Sequence, residues 1–123
     1  MSDSNLKYQR IAALVGFLGV ALGAFAAHGL KHLLAENNTA EIWKTASMYH
    51  LIHAVVLLFV ANQRPLPRVT WFLFLTGVVI FSGSLYLLAV TNILWLGAIT
   101  PLGGLSLLAG WLWLAARPFA AAR

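Results

Sequence analysis

The chain has 123 residues, of which 61% are hydrophobic and 9% charged, and its mean hydropathy is +0.84. A soluble domain of this size buries one apolar core beneath a charged surface, and this composition leaves too few charges to build one. The net charge of +5 does not point to nucleic acid, because the eight Lys and Arg residues are scattered singly between apolar blocks.

Four membrane spans of about 20 residues would take up roughly 80 positions, and the chain offers four apolar blocks of that kind. The expected fold is all-α, a polytopic membrane four-helix bundle forming a single domain over residues 1–123, with helices near 11–28, 39–62, 69–91 and 94–116. The first block follows Lys7 and Arg10. It also has the outline of a signal peptide, with Ala24-Phe25-Ala26 imitating a cleavage site; it is read here as a retained first helix, capped by Gly29.

Residues 29–43 form the one sizeable loop. Asn38 is expected to N-cap the second helix, with Glu41 at N3, and the helix then enters the membrane near Thr45 and leaves near Asn62. Pro65 and Pro67 oppose a continuous helix across the basic loop that follows. Asn92 marks a tight turn between the third and fourth helices, and Arg117-Pro118 ends the fourth.

Lys7, Arg10, Arg64, Arg68, Arg117 and Arg123 fall on one side of this scheme, and only Lys31 and Lys44 on the other. Six against two, with short connecting loops, predicts cytoplasmic N- and C-termini. The tryptophans are expected at interface depth, Trp43 and Trp95 at the outer face, Trp71, Trp111 and Trp113 toward the inner one.

Helices in lipid associate through close packing, so small residues mark the buried faces. Gly16, Gly19, Gly23 and Ala27 form a stripe on the first helix that includes a GxxxG. The third carries Gly77, Gly83, Ser84 and Thr91 beside Thr76, and the fourth Gly103, Ser106 and Gly110. Packing within one chain is the main expectation for them; the alternative is a homo-oligomer seam or a membrane-protein partner. In the fourth helix, Pro101 leaves the carbonyl of Gly97 without its donor, which predicts a kink or a break in the outer half.

Histidines are the ionisable groups closest to the apolar blocks. Counting from Thr45, His50 lies about 8 Å and His53 about 12 Å deep, and such residues are functional suspects by default. Ser47, His50 and His53 share one broad face of the second helix, which must point into the bundle. The bland expectation is a neutral His53 satisfied by a hydroxyl such as Ser82, Ser84 or Thr100; the sharper one is a haem, quinone or metal ligand. His28, His32 and Glu36, spaced by four and four, would suit a divalent metal only if the first helix ran on through Gly29, and solvated interface residues are expected instead. No metal site and no cofactor is therefore assigned.

Asp3, Glu36 and Glu41 all lie outside the apolar blocks, which argues against proton-coupled drug export. No Ser/His/Asp set, P-loop or acidic pair is present from which to build hydrolysis or phosphoryl transfer, so no catalytic residue is named. Cysteine is absent as well, which removes thiolate metal sites and cysteine nucleophiles.

The segments 23–31, Trp43-Lys44-Thr45-Ala46, Tyr49-His50, His53-Ala54, 81–89 and 96–110 closely resemble the YgdD/YwdK-like small bacterial inner-membrane proteins. That resemblance spans about residues 8–116 and implies four helices in a bacterial inner membrane, with no established biochemical activity. His28, Tyr49, His53, Ser82, Ser84, Tyr86, Thr100 and Pro101 match its pattern, whereas Ala26 stands where glycine is expected and His50 where glutamine is common. His53 is thus the stronger functional candidate of the pair.

The expected function is a non-enzymatic membrane protein, a structural, interaction or lipid-binding component, with membrane lipids as its surroundings and no nucleic-acid partner. The competing class is a carrier of haem, quinone or metal. Combining the break in the fourth helix with the histidines predicts one polar pocket open toward the outer face and lined by His28, Tyr49, His50, His53, Tyr86 and Thr100.

Overall fold

The computed structural model describes residues 3–117, with side chains from Asn5 onward; Pro118 and Arg123 of the sequence reading lie outside them. Helices α1 (Asp3–Ala27), α2 (Lys31–Asn37), α3 (Ala40–Ala61), α4 (Arg68–Thr91) and α5 (Thr100–Ala116) follow in order, with a 3-10 turn at Leu94–Ala98 before the last. No strand occurs among the described residues. Four segments are long and apolar enough to cross a membrane: Asn5–Ala27, Ala40–Ala61, Arg68–Thr91 and Leu94–Ala116.

α1 starts at Asp3, well before residue 11, because its polar first turns have work at the end of α3. The amide of Asn5 donates to the carbonyls of Ala61 and Gln63, both at 3.3 Å, and Gln9 donates to Asn62 Oδ1 at 2.9 Å. The last carbonyls of a helix have no partner within it, and here the neighbouring helix supplies one.

At the opposite end the expected loop folds into a helix. α2 covers Lys31–Asn37, and Asn38 ends it in the left-handed conformation, with φ 57° and its N–H on the carbonyls of Leu34 and Ala35. Asn38 is therefore not the N-cap of the next helix. Thr39 holds that position without capping through its side chain, because its hydroxyl donates to the carbonyl of Ala89 at 2.7 Å. Asn37 donates to Ala89 as well, at 3.0 Å. Together they tie the α2–α3 corner to the end of α4, over a small core of Leu34, Trp43 and Ala89.

The spans pack in chain order. α1 lies against α3, α3 against α4 and α4 against α5, while no Cα of α1 comes within 8 Å of α4 or α5, nor any of α3 within 8 Å of α5. Each neighbouring pair is antiparallel, and only side chains bridge beyond the row, as where Tyr8 meets Trp71 edge-on with centroids 4.8 Å apart. The bundle is thus an open one, with a long groove on each face.

Glycines set the closest approaches. A methyl group on Gly103 would overlap the backbone nitrogen of Phe81 and lie 2.8 Å from its Cα; on Gly77 it would meet the Leu107 side chain at 2.5 Å, and on Gly110 the Phe74 ring at 2.9 Å. On α1, Gly19 faces His50 and Leu51, and Gly16 makes ordinary contact with Ala54. Gly23 and Gly83 have open space where a Cβ would be. The stripe is a packing surface only where a neighbour crosses it, and Gly19, half of the GxxxG, is occupied within the chain.

The five tryptophans divide by burial, with Trp43 and Trp71 each at the fourth residue of its helix. Trp43 and Trp71 are core residues, whereas Trp95, Trp111 and Trp113 are exposed. The fourth span is interrupted as Pro101 requires: α5 begins at Thr100, with the proline in its first turn where a missing N–H costs nothing.

Candidate functional site

Ala46, His50, His53 and Leu57 are buried along α3, the three- and four-residue spacing of a helix seam. α4 covers this seam, with the Ser82 hydroxyl donating to the carbonyl of Ala46 at 2.8 Å. The two histidine rings leave the seam on opposite sides of α4, His50 toward α1 and His53 toward α5.

His50 Nε2 lies 2.8 Å from the carbonyl of Val15. A carbonyl only accepts, so Nε2 carries a proton, and Nδ1 lies in a hydrogen bond with the Tyr86 hydroxyl at 2.9 Å. Ser47 Oγ lies 3.5 Å from the same Tyr86 oxygen, and the Tyr86 ring packs on Trp43 with centroids 4.6 Å apart. Gly19 makes the approach possible: a Cβ there would stand 3.2 Å from His50 Cδ2 and 2.7 Å from Leu51 Cδ2.

His53 has the opposite tautomer. Its Nδ1–H donates to the carbonyl of Tyr49 at 2.7 Å, and its Nε2 accepts the indole N–H of Trp111 at 3.1 Å. The Tyr49 ring lies parallel to the imidazole at 6.1 Å, and Phe74 and Trp111 close the slot at 5.7 and 5.9 Å. Each histidine has both ring nitrogens in hydrogen bonds, so a metal or haem iron would have to displace one of them.

The hydroxyls expected to serve His53 are engaged elsewhere. Ser84 and Thr100 pair at 2.6 Å, and Thr100 also reaches the carbonyl of Leu96 at 3.4 Å. His28 and Glu36 are exposed, and no group of three metal-ligating side chains occurs among the described residues.

The single polar pocket expected from the sequence does not form, because α4 separates its members. His50 and Tyr86 border a groove of about 220 Å³ between α1 and α4, with Val15, Leu22 and Ser82. Tyr49 and His53 border a larger one, about 550 Å³, between α3 and α5, with Phe81, Pro101, Leu105 and Trp111. His28 lines a third hollow beside Phe25 on α1, and Thr100 lines none of these three. Each of these two grooves lies between helices that are not neighbours in the row, α1 and α4 for the first and α3 and α5 for the second. Trp111 is the site residue that sequence reasoning missed, since an interfacial tryptophan and a histidine's partner look alike until α5 is placed.

The chain is similar to proteins with no assigned activity. A family model described as a protein of unknown function, DUF423, matches residues 22–104. The UPF0382 membrane protein YwdK of Bacillus subtilis is 42% identical over 109 residues, covering 83% of this chain and 87% of its own length. A UPF0382 membrane protein of Haemophilus influenzae is 42% identical over 116 residues, 89% of this chain and 90% of its own. One from Schizosaccharomyces pombe is 36% identical over 110 residues, 82% and 92% respectively. No solved structure matches the chain.

Proposed function

We infer that this chain, which belongs to the DUF423 family of proteins of unknown function and is a membrane protein, is a non-enzymatic lipid-binding component of the bacterial inner membrane. The α3–α5 groove carries this reading. Its volume of about 550 Å³ falls in the range of small-molecule sites, and its walls are largely apolar. Pro101 and Gly104 keep the α5 wall low where Phe81 forms the floor. A hydrocarbon chain from the bilayer fits such a slot, whereas a charged head would lose its hydration there.

Native mass spectrometry of protein purified in mild detergent tests this. Bound lipid is expected on the wild-type chain, and Leu105→Trp, which fills the groove from an exposed wall position, should lower its occupancy about tenfold, equivalent to about 1.4 kcal/mol. Unchanged occupancy in that variant, or a haem absorbance band or stoichiometric metal in the wild type, would overturn it.

The charge bias of the loops supports cytoplasmic termini. The chain has no native cysteine, so single replacements report cleanly. In intact cells Glu36→Cys should react with a membrane-impermeant maleimide and Arg117→Cys should not; the reverse pattern inverts the topology.

A further inference from the structure

The geometry points to an uncharged lipid alcohol as the occupant of the α3–α5 groove, its hydroxyl inserted between Trp111 and His53. This rests on the lipid-binding reading above and adds the chemistry of the ligand. His53 Nδ1–H is held on the carbonyl of Tyr49, one turn earlier on the same helix, at 2.7 Å. With the proton committed there, Nε2 is an acceptor only. Across from it stands an indole N–H, a donor only, at 3.1 Å.

A group entering between a pure donor and a pure acceptor must accept from one and donate to the other. A hydroxyl does both. An ether, ester or ketone oxygen would satisfy Trp111 and strand His53, while an ammonium would do the reverse and bring a charge. Stranding a polar atom in hydrocarbon carries a desolvation penalty that the hydroxyl avoids.

The two partners differ in freedom. His53 is 4% exposed and held between Tyr49 and Phe74, whereas Trp111 is 44% exposed on the opposite wall. The indole can turn aside while the imidazole keeps its place. His53 stands eight residues before the end of α3 at Ala61, about 12 Å along the helix, so the hydroxyl sits well inside the hydrocarbon layer. A phosphate-bearing head group does not belong at that depth; a polyisoprenoid or long-chain alcohol does.

The test compares farnesol with farnesyl methyl ether on delipidated protein in detergent, with retention read by native mass spectrometry. The wild-type chain is expected to retain the alcohol about tenfold better than the ether. That preference should vanish in His53→Phe and survive in Trp111→Phe, because both ligands accept from the indole and only the alcohol donates to the imidazole. Equal retention of the two, each lost in Leu105→Trp, overturns the alcohol preference and leaves the groove intact. Retention of neither, with Leu105→Trp indifferent, overturns both. A preference lost in Trp111→Phe but kept in His53→Phe also refutes the assignment. Should His53→Phe fail to fold, the wild-type ratio and Trp111→Phe still decide.

Discussion

Replacing Gly103 with Ala is expected to lower the thermal stability of the detergent-solubilised protein more than any other glycine-to-alanine change. The added methyl would overlap the backbone nitrogen of Phe81 and lie 2.8 Å from its Cα. Backbone cannot turn away as a rotamer can, so α4 and α5 must separate along the antiparallel seam that Gly77, Gly103 and Gly110 share. Overpacking of this kind costs about 1–3 kcal/mol. Gly77→Ala should come next, since Leu107 presents both a side chain and, at 3.0 Å, a backbone nitrogen. Gly110→Ala should be milder, because only the Phe74 ring has to move. Gly23→Ala and Gly83→Ala meet nothing within 4 Å, and their melting temperatures should match or exceed the wild type, alanine being the better helix former. Equal losses for Gly103→Ala and Gly83→Ala would show that the α4–α5 seam is not packed as described.

His53→Lys should be far more damaging than His53→Leu. The imidazole fills a slot between Tyr49, Phe74 and Trp111 and is 4% exposed. Leucine keeps the slot apolar and leaves the Trp111 N–H without its acceptor, a loss of about 1 kcal/mol, eased because that indole is 44% exposed and can turn. Lysine places an ammonium at mid-membrane, for which insertion measurements give a cost of about 3 kcal/mol. Its chain would have to leave the slot to reach the nearer interface, some 12 Å away along α3. The yield of folded protein and its melting temperature should therefore rank wild type, Leu, Lys. The opposite order for the two variants would mean that His53 sits in water rather than among aromatic rings.

What the local sequence governs directly was legible in it. Composition excludes a soluble domain, because a chain this apolar has no charged surface to present to water, and its four apolar blocks correspond to the four helices long and apolar enough to cross a membrane. Pro101 predicts a kink or a break in the fourth span, and a helix begins anew at Thr100, while Asn92 supplies the left-handed residue, φ 57°, on which α4 ends. The glycine positions mark where backbones can meet. Which of them do meet depends on the order of packing. Gly103 is closed by Phe81, while Gly83, of the same type on the facing helix, stays open.

Other features turned on contacts between segments distant in the chain. Asn38 reads as a cap and Thr39 as a neighbour, yet the carbonyl of Ala89, fifty positions beyond Thr39, decides the roles of that corner by accepting from both Asn37 and Thr39. His50 and His53 share one helix face, and only the placement of α4 along that face sends one ring to Val15 and the other to Trp111. Spacing along a helix establishes that two side chains are near each other. Their partners, and hence the tautomer of each imidazole and the chemistry each groove can recognise, come from the helices packed on either side.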